Sequence, residues 1–322
     1  MGGALRFIGS GLSRTARGSK LTVLIYHRAL PHADPLLPGE PDAHVFGWQM
    51  ESLARHFRVL PLSEAIDRLA DGTLKPRSAA VTFDDGYADN YTVALPILRK
   101  LRLPATFFVT TGYTDGGRMW NDSVIEALRG ASAGTLDLRG LGLGELPIGD
   151  VASRRRAIDG LIGAWKYLPP AERDELAARL VALVGTPVPQ SLMMTSEQIA
   201  QLSRAGMEIG AHTVTHTLLV KLGETEARRE LAESRAKLRA MTGQDVRVFA
   251  YPNGKPGTDY TERDVRLTRE LGFTGAVTTA WGVGTPGSDP LQVPRFTPWD
   301  RTPTRFLLRL LHNYTRTGVQ RV

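Results

Sequence analysis

Short apolar runs rich in β-branched and aromatic residues alternate with helix-period segments along most of this chain. No other feature restricts the fold as much. The runs cover residues 21–26, 79–83, 105–110, 207–211, 246–251, 274–279 and 291–295. Helical periodicity fills residues 48–57, 63–70, 90–101, 196–205, 224–241 and 261–271, and glycines at 243 and 272 stop two of these segments. Near-continuous apolar strands imply a parallel sheet covered on both faces, so the alternatives are an α/β barrel and a doubly wound sheet. Between residues 112 and 195 the alternation fails. A Gly-rich stretch at 130–149 precedes two helical runs, 154–167 and 171–184, separated by Pro169 and Pro170. This reads as a helical insertion beside the sheet.

The formal net charge is +7 and 42% of the 322 residues are hydrophobic. Such a chain can bury one large core. The basic excess lies at the ends: Arg6, Arg14, Arg17, Lys20 and Arg28 come before any acid, and only arginines are charged after Asp300. The body between is slightly acidic, which argues against a basic groove tracking nucleic acid. With no cysteine, disulfides, thiolate metal sites and cysteine nucleophiles are excluded, so any metal must use His, Asp or Glu. Arg6, Gly9, Arg14 and Arg17 interrupt the first apolar run, leaving neither a signal-peptide core nor a roughly 20-residue membrane span. The expected compartment is the cytoplasm; an exported form whose leader lies outside this sequence stays open.

Two motifs carry chemistry. Thr82-Phe83-Asp84-Asp85-Gly86 falls where a strand runs out into a glycine turn. Adjacent carboxylates repel, a cost that a bound cation relieves, although the same residues also suit a solvated turn. His212-Thr213-Val214-Thr215-His216 directly follows another strand, and two imidazoles four apart meet on one face if the chain turns helically there. Together they offer two histidines and one carboxylate with a second carboxylate free as a base. Such a set leaves coordination positions open, as hydrolysis by metal-activated water requires.

The pairing of TFDDG with a later H-[ST]-x-x-H resembles the polysaccharide deacetylase family, also called NodB-like or carbohydrate esterase family four. The resemblance runs from about Leu21 to Trp299. It implies a distorted (β/α) barrel of about seven strands and hydrolysis of N-acetyl groups on amino sugars. By that similarity Asp84 is the catalytic base, and Asp85, His212 and His216 bind one divalent metal ion, zinc being expected. The family's third motif, Arg-x-Pro-aromatic, is replaced here by Ala250-Tyr251-Pro252-Asn253. Tyr251 and Pro252 are then expected beside the substrate, and the Asn253 backbone N–H keeps the oxyanion role. With Ala250 where the motif arginine would stand, the arginine pairing with the base must come from elsewhere: Arg295 first, Arg247 second. A late Leu-x-x-His supplying the general acid does not fit near the C-terminus. Instead Leu24-Ile25-Tyr26-His27-Arg28 is similar to the branch acting on poly-N-acetylglucosamine, which makes His27 the expected acid.

Trp120, Tyr87 and Trp281 are candidate sugar-stacking platforms, Trp120 being the best placed at the mouth of the insertion. The expected organisation is a basic tail (1–20), a deacetylase domain (21–300) with an insertion (113–195), and a basic amphipathic tail (301–322). In the last tail Phe306, Leu307, Leu310, Leu311 and Tyr314 form a stripe flanked by Arg305, Arg309 and Arg316. That stripe suits either docking on the barrel or peripheral contact with an anionic membrane at its cytoplasmic face. The expected partner is an N-acetylated glycan or lipid-linked sugar. Two rivals stand beside deacetylation: removal of O-acetyl or N-formyl groups, and a catalytically idle glycan-binding module.

Overall fold

The computed structural model describes residues 2–322; Met1, first residue of the expected basic tail, lies outside them. Seven parallel strands follow one another around a barrel in chain order: β1 (Leu21–Tyr26), β2 (Ser78–Phe83), β3 (Thr106–Val109), β4 (Glu208–Ala211), β5 (Val248–Ala250), β6 (Gly275–Trp281) and β7 (Val293–Arg295). The seam between β7 and β1 is held by Phe296, which pairs with Leu24: its N–H donates to Val23 O at 2.7 Å and its carbonyl accepts from Ile25 N at 3.0 Å. Of the two architectures open from sequence, the nearly closed barrel is therefore the one formed.

The helices are α1 (Gly2–Leu12), α2 (Ala43–His56), α3 (Leu62–Ala70), α4 (Leu95–Leu101), α5 (Trp120–Gly130), α6 (Val151–Trp165), α7 (Pro170–Val184), α8 (Ser196–Arg204), α9 (Glu224–Thr242), α10 (Glu262–Glu270) and α11 (Pro303–Asn313). The strand pleat sorts side chains into two cores. Leu21, Val23, Ala80, Phe108, Val248, Val277 and Val293 fill the barrel interior and meet Leu62, Ile66 and Leu69 of α3. Leu24, Tyr26, Val81, Phe83, Phe107 and Phe249 face outward against the surrounding helices. Helix α3 closes the strands' amino-terminal end, where the Glu208 carboxylate accepts from Leu62 N and Ser63 N and so neutralises its first turn. The opposite end, at the strands' carboxyl termini, stays open.

Residues 120–184 build a separate core of their own. Val124, Leu128, Leu138, Ile158, Leu161, Trp165 and Leu180 pack together from α5, α6, α7 and the hairpin of Thr135–Asp137 with Glu145–Pro147. Helix α5 is a third helix of the insertion, beside the two helical runs read from sequence. Its apolar residues pack into this second core, so its pattern does not continue the barrel's strand–helix rhythm.

The apolar stripe of the C-terminal segment lies on the barrel: Phe306, Leu310 and Tyr314 are fully buried. Leu307 and Leu311 of the same stripe are half-buried, so docking on the outer core already uses most of that face. Among the described residues no helix is long and apolar enough to cross a membrane.

Candidate active site

The pleat that fills the barrel also aims the chemistry. Along β2 the inward row is Ala80, Thr82 and then Asp84, just past the strand's end; along β4 it runs through Gly210 to His212. Gly210 is required there, since a Cβ would lie 2.4 Å from the Phe108 ring. Asp85, next to Asp84, should point the other way. It does not, because its backbone is left-handed (φ 75°), and Gly86 follows at φ 92°. The same costly conformation recurs at Thr213 (64°), His216 (54°) and Asn253 (58°). Left-handed backbone at non-glycine residues costs of order 1–3 kcal/mol each and persists only where the surroundings impose it.

Asp85 Oδ1 lies 3.4 Å from His212 Nε2 and 3.2 Å from His216 Nε2. All three side chains are at least mostly buried, and Asp85 Oδ1 has no hydrogen-bond donor among the described residues. Ligand arms of about 2.0–2.1 Å in a tetrahedron have edges of about 3.3 Å, so this triangle fits one divalent ion. The His212 Nδ1 bonds to Ala250 O at 2.7 Å, which leaves Nε2 free to ligate. Burial, only partly offset by Asp85, lowers His216 to about 4, so its ring is neutral and competent as a ligand at neutral pH. The histidine segment is not helical. It is a loop held by Glu230 of α9, which accepts from Val214 N (2.7 Å) and Thr215 N (2.9 Å), while Thr213 Oγ1 accepts from His216 N. Nothing in the sequence marks Glu230, because a buried acid in a charged helix looks like its solvated neighbours there.

Asp84 is gripped from across the barrel. Arg295 Nη1 and Nη2 donate to its two oxygens at 2.7 Å each, and Arg295 Nε donates to Thr278 O. Burial opposes the carboxylate's charge, yet Arg295, together with His212 and His27, outweighs it and holds Asp84 below its ordinary value. Arg247 is remote from this: it pairs with Asp67 at the half-exposed amino-terminal end of the barrel, because it precedes β5 instead of ending a strand.

His27 and Asn253 border the same cleft, about 410 Å³, as the metal triangle and Asp84. The His27 carbonyl accepts from Asn90 Nδ2, and Arg28 pairs with Asp89 at 2.7 Å, fixing the strand end. Burial disfavours a charged His27 ring, but Asp85, Glu40 and Asp84 together raise it above the ordinary value. The Asn253 carbonyl is held by Thr279 Oγ1, whereas its N–H has no acceptor among the described residues.

Other expected substrate contacts fall elsewhere. Trp120 is 9% exposed, packs in the second core under the Arg173 guanidinium, and does not border the cleft. Tyr251 faces out of the barrel, since the pleat alternates after inward Ala250, and stacks on Tyr260 at 4.0 Å. Pro252 is buried without lining the cleft. Trp281 is partly exposed but one face is covered by Arg316 at 3.9 Å. Tyr87 does line the cleft, where its hydroxyl donates to Asp122 at 3.0 Å.

Residues 71–136 and 165–276, more than half of the chain, match the family model described as polysaccharide deacetylase. The match spans Asp84, Asp85, His212, His216 and Asn253 but neither His27 nor Arg295. The Bacillus subtilis (strain 168) protein YxkH is 20% identical over 270 residues, 84% of this chain and 68% of that one. The fold resembles Streptococcus pyogenes deacetylase PplD, solved in complex with acetate (TM-score 0.61, 19% identity, 92% of this chain and 99% of that one). It also resembles IcaB from Ammonifex degensii (TM-score 0.60, 24% identity, 92% and 97%).

Proposed function

This chain belongs to the polysaccharide deacetylase family, and from that premise we propose that it removes N-acetyl groups from N-acetylhexosamine units of a glycan or lipid-linked sugar. One observation carries the reading: a buried Asp85–His212–His216 triangle shares its cleft with a carboxylate, Asp84, that Arg295 keeps ionised. A divalent ion on the triangle, zinc in this reading, would supply Lewis-acid polarisation of the acetamido carbonyl and of water. Asp84 takes the proton of the attacking water, and Arg295 positions it by binding both oxygens. The unpaired Asn253 N–H donates to the oxygen that gains charge. His27, its cationic form favoured by three carboxylates, gives a proton to the departing amine.

The deciding experiment is acetate release from N-acetylated amino-sugar oligomers before and after chelation. Chelator-sensitive acetate release supports the reading. Formate release, or acetate only from O-acetylated substrates, selects the other acyl-group reading, and oligomer binding without any release selects the glycan-binding module.

We also propose that the basic ends rest against an anionic membrane surface. The stripe read from sequence is mostly buried, but Phe7 (83% exposed), Ile8 and Leu12 on α1 and Leu308 on α11 present apolar side chains to solvent. Gly9 of α1 sits against Leu311 of α11, so the two helices adjoin, with Arg14, Arg17 and Arg305 exposed nearby in sequence. Apolar side chains flanked by cations suit an interfacial, anionic partner.

A further inference from the structure

Two acceptor oxygens in the cleft remain once the metal triangle, base, acid and oxyanion donor have been assigned. Asp122 is 3% exposed and lines the cleft; its Oδ1 accepts from Tyr87, while its Oδ2 is buried without a partner. One residue earlier, Asn121 also lines the cleft, and its side-chain oxygen is likewise buried without a donor. Buried acceptors are ordinarily satisfied, and an unsatisfied one in a cleft is a standing invitation to a ligand's O–H or N–H.

The support behind these oxygens is rigid. Both belong to the first turn of α5, whose Val124, Ala127 and Leu128 are fully buried in the second core. Tyr87 fixes the Asp122 carboxylate, and the Arg28 guanidinium, itself paired with Asp89, lies 4.7 Å over the Tyr87 ring. With Arg28 already beside this wall, a second cation is poorly matched to it. Ile125 and Leu37 border the same cleft with apolar surface. Acceptors beside an apolar wall match a pyranose, which carries hydroxyl donors on its edge and C–H groups on its face.

We propose that Asp122 and Asn121 form a sugar-recognition subsite, accepting hydrogen bonds from ring hydroxyls of the N-acetylated residue whose acyl group is removed; this rests on the deacetylase reading. The inserted helices then set which sugar is presented to chemistry built on the barrel.

The test pairs two readouts on the full chain: titration calorimetry of an N-acetylglucosamine tetramer into chelator-treated protein, and acetate-release kinetics with metal restored. At about pH 8, where the Asp122 carboxyl is ionised, Asp122→Ala is expected to weaken tetramer binding by ~10–100-fold and Asn121→Ala by ~3–10-fold, the range for losing a hydrogen bond to a charged and to a neutral acceptor. The same variants raise KM while kcat stays within about threefold, a split that a merely structural role would not produce. Should Asp122→Ala fail to fold, Asn121→Ala carries the same prediction. Unchanged binding in both variants, or a fall in kcat at constant KM, overturns the subsite. Wild-type protein that binds the tetramer without releasing acetate sinks the deacetylase reading while the binding comparison still decides the subsite; wild-type protein that does not bind it overturns the subsite.

Discussion

Asp84 and Arg295 stand 211 positions apart in the chain and share two 2.7 Å hydrogen bonds inside the barrel, both side chains almost fully buried. Removing one partner leaves the other's charge buried without compensation. Arg295→Met is therefore expected to lower stability by about 3–5 kcal/mol, and Asp84→Asn combined with Arg295→Met to recover part of it. Denaturant unfolding of the single and double variants measures this. A double-variant loss equal to the sum of the two single-variant losses would show that the pair does not couple.

Metal affinity should separate the two adjacent aspartates. Asp84→Asn keeps zinc binding and abolishes turnover, because Asp84 lies outside the triangle and its proton-accepting form is lost. Asp85→Asn, His212→Ala and His216→Ala each remove one of three ligands and are expected to lose zinc in isothermal titration. Zinc lost in Asp84→Asn but kept in Asp85→Asn would reverse the assignment.

His27→Ala should cut kcat by on the order of 10²–10⁴, the range for a lost general acid, with metal content and Tm nearly unchanged. Its position supports this: the ring borders the cleft, and its backbone is held independently by Asn90. A loss of metal equal to the loss of rate would instead make it a ligand.

Asp122 gives a pH signature of its own. Burial, opposed by the Tyr87 hydrogen bond and reinforced by the Asp85 charge, pushes it up to about 7. The folded state thus holds this proton more tightly than the unfolded chain, whose aspartates titrate near 3.9. The resulting stability is complete below that value and is lost as pH rises to about 7. Asp122→Asn does not titrate, so its Tm relative to wild type should climb between about pH 4 and 7 and then level off. Scanning calorimetry of chelator-treated protein checks this; a flat difference would refute it.

Vesicles test the proposed membrane contact. Co-sedimentation with phosphatidylserine-containing liposomes is expected to exceed that with neutral liposomes, to weaken as salt screens the cations, and to fall in Phe7→Ser combined with Leu308→Ser. Binding indifferent to lipid charge would sink the idea.

Much of this molecule is written locally in its sequence. The alternation of apolar strands with amphipathic helices marks β1 to β7 because burial of a strand or helix face depends on a repeat of two or about 3.6 residues. The Asp84-Asp85-Gly86 turn and the His212–His216 pair are equally local, and each lies at the carboxyl end of a strand. Charge at the chain ends is additive and needs no fold to be seen.

Other features exist only once the barrel forms. Arg295 reaches Asp84 because β7 lies against β1, next to β2, on a nearly closed ring; no sequence spacing expresses that adjacency. Tyr251 and Trp120 are turned away from the cleft by strand pleat and by a second core, whereas an aromatic residue in a sequence carries no sign of which way it faces. Glu230 holds the histidine loop, and left-handed turns at Asp85, Thr213, His216 and Asn253 place the candidate metal ligands and the Asn253 N–H at one cleft. Those conformations are unfavourable in isolation. Sequence thus determined which groups this protein has for its chemistry, and tertiary structure alone decided their partners and directions, because contacts between strands distant in the chain must offset the local strain of aiming them at one point.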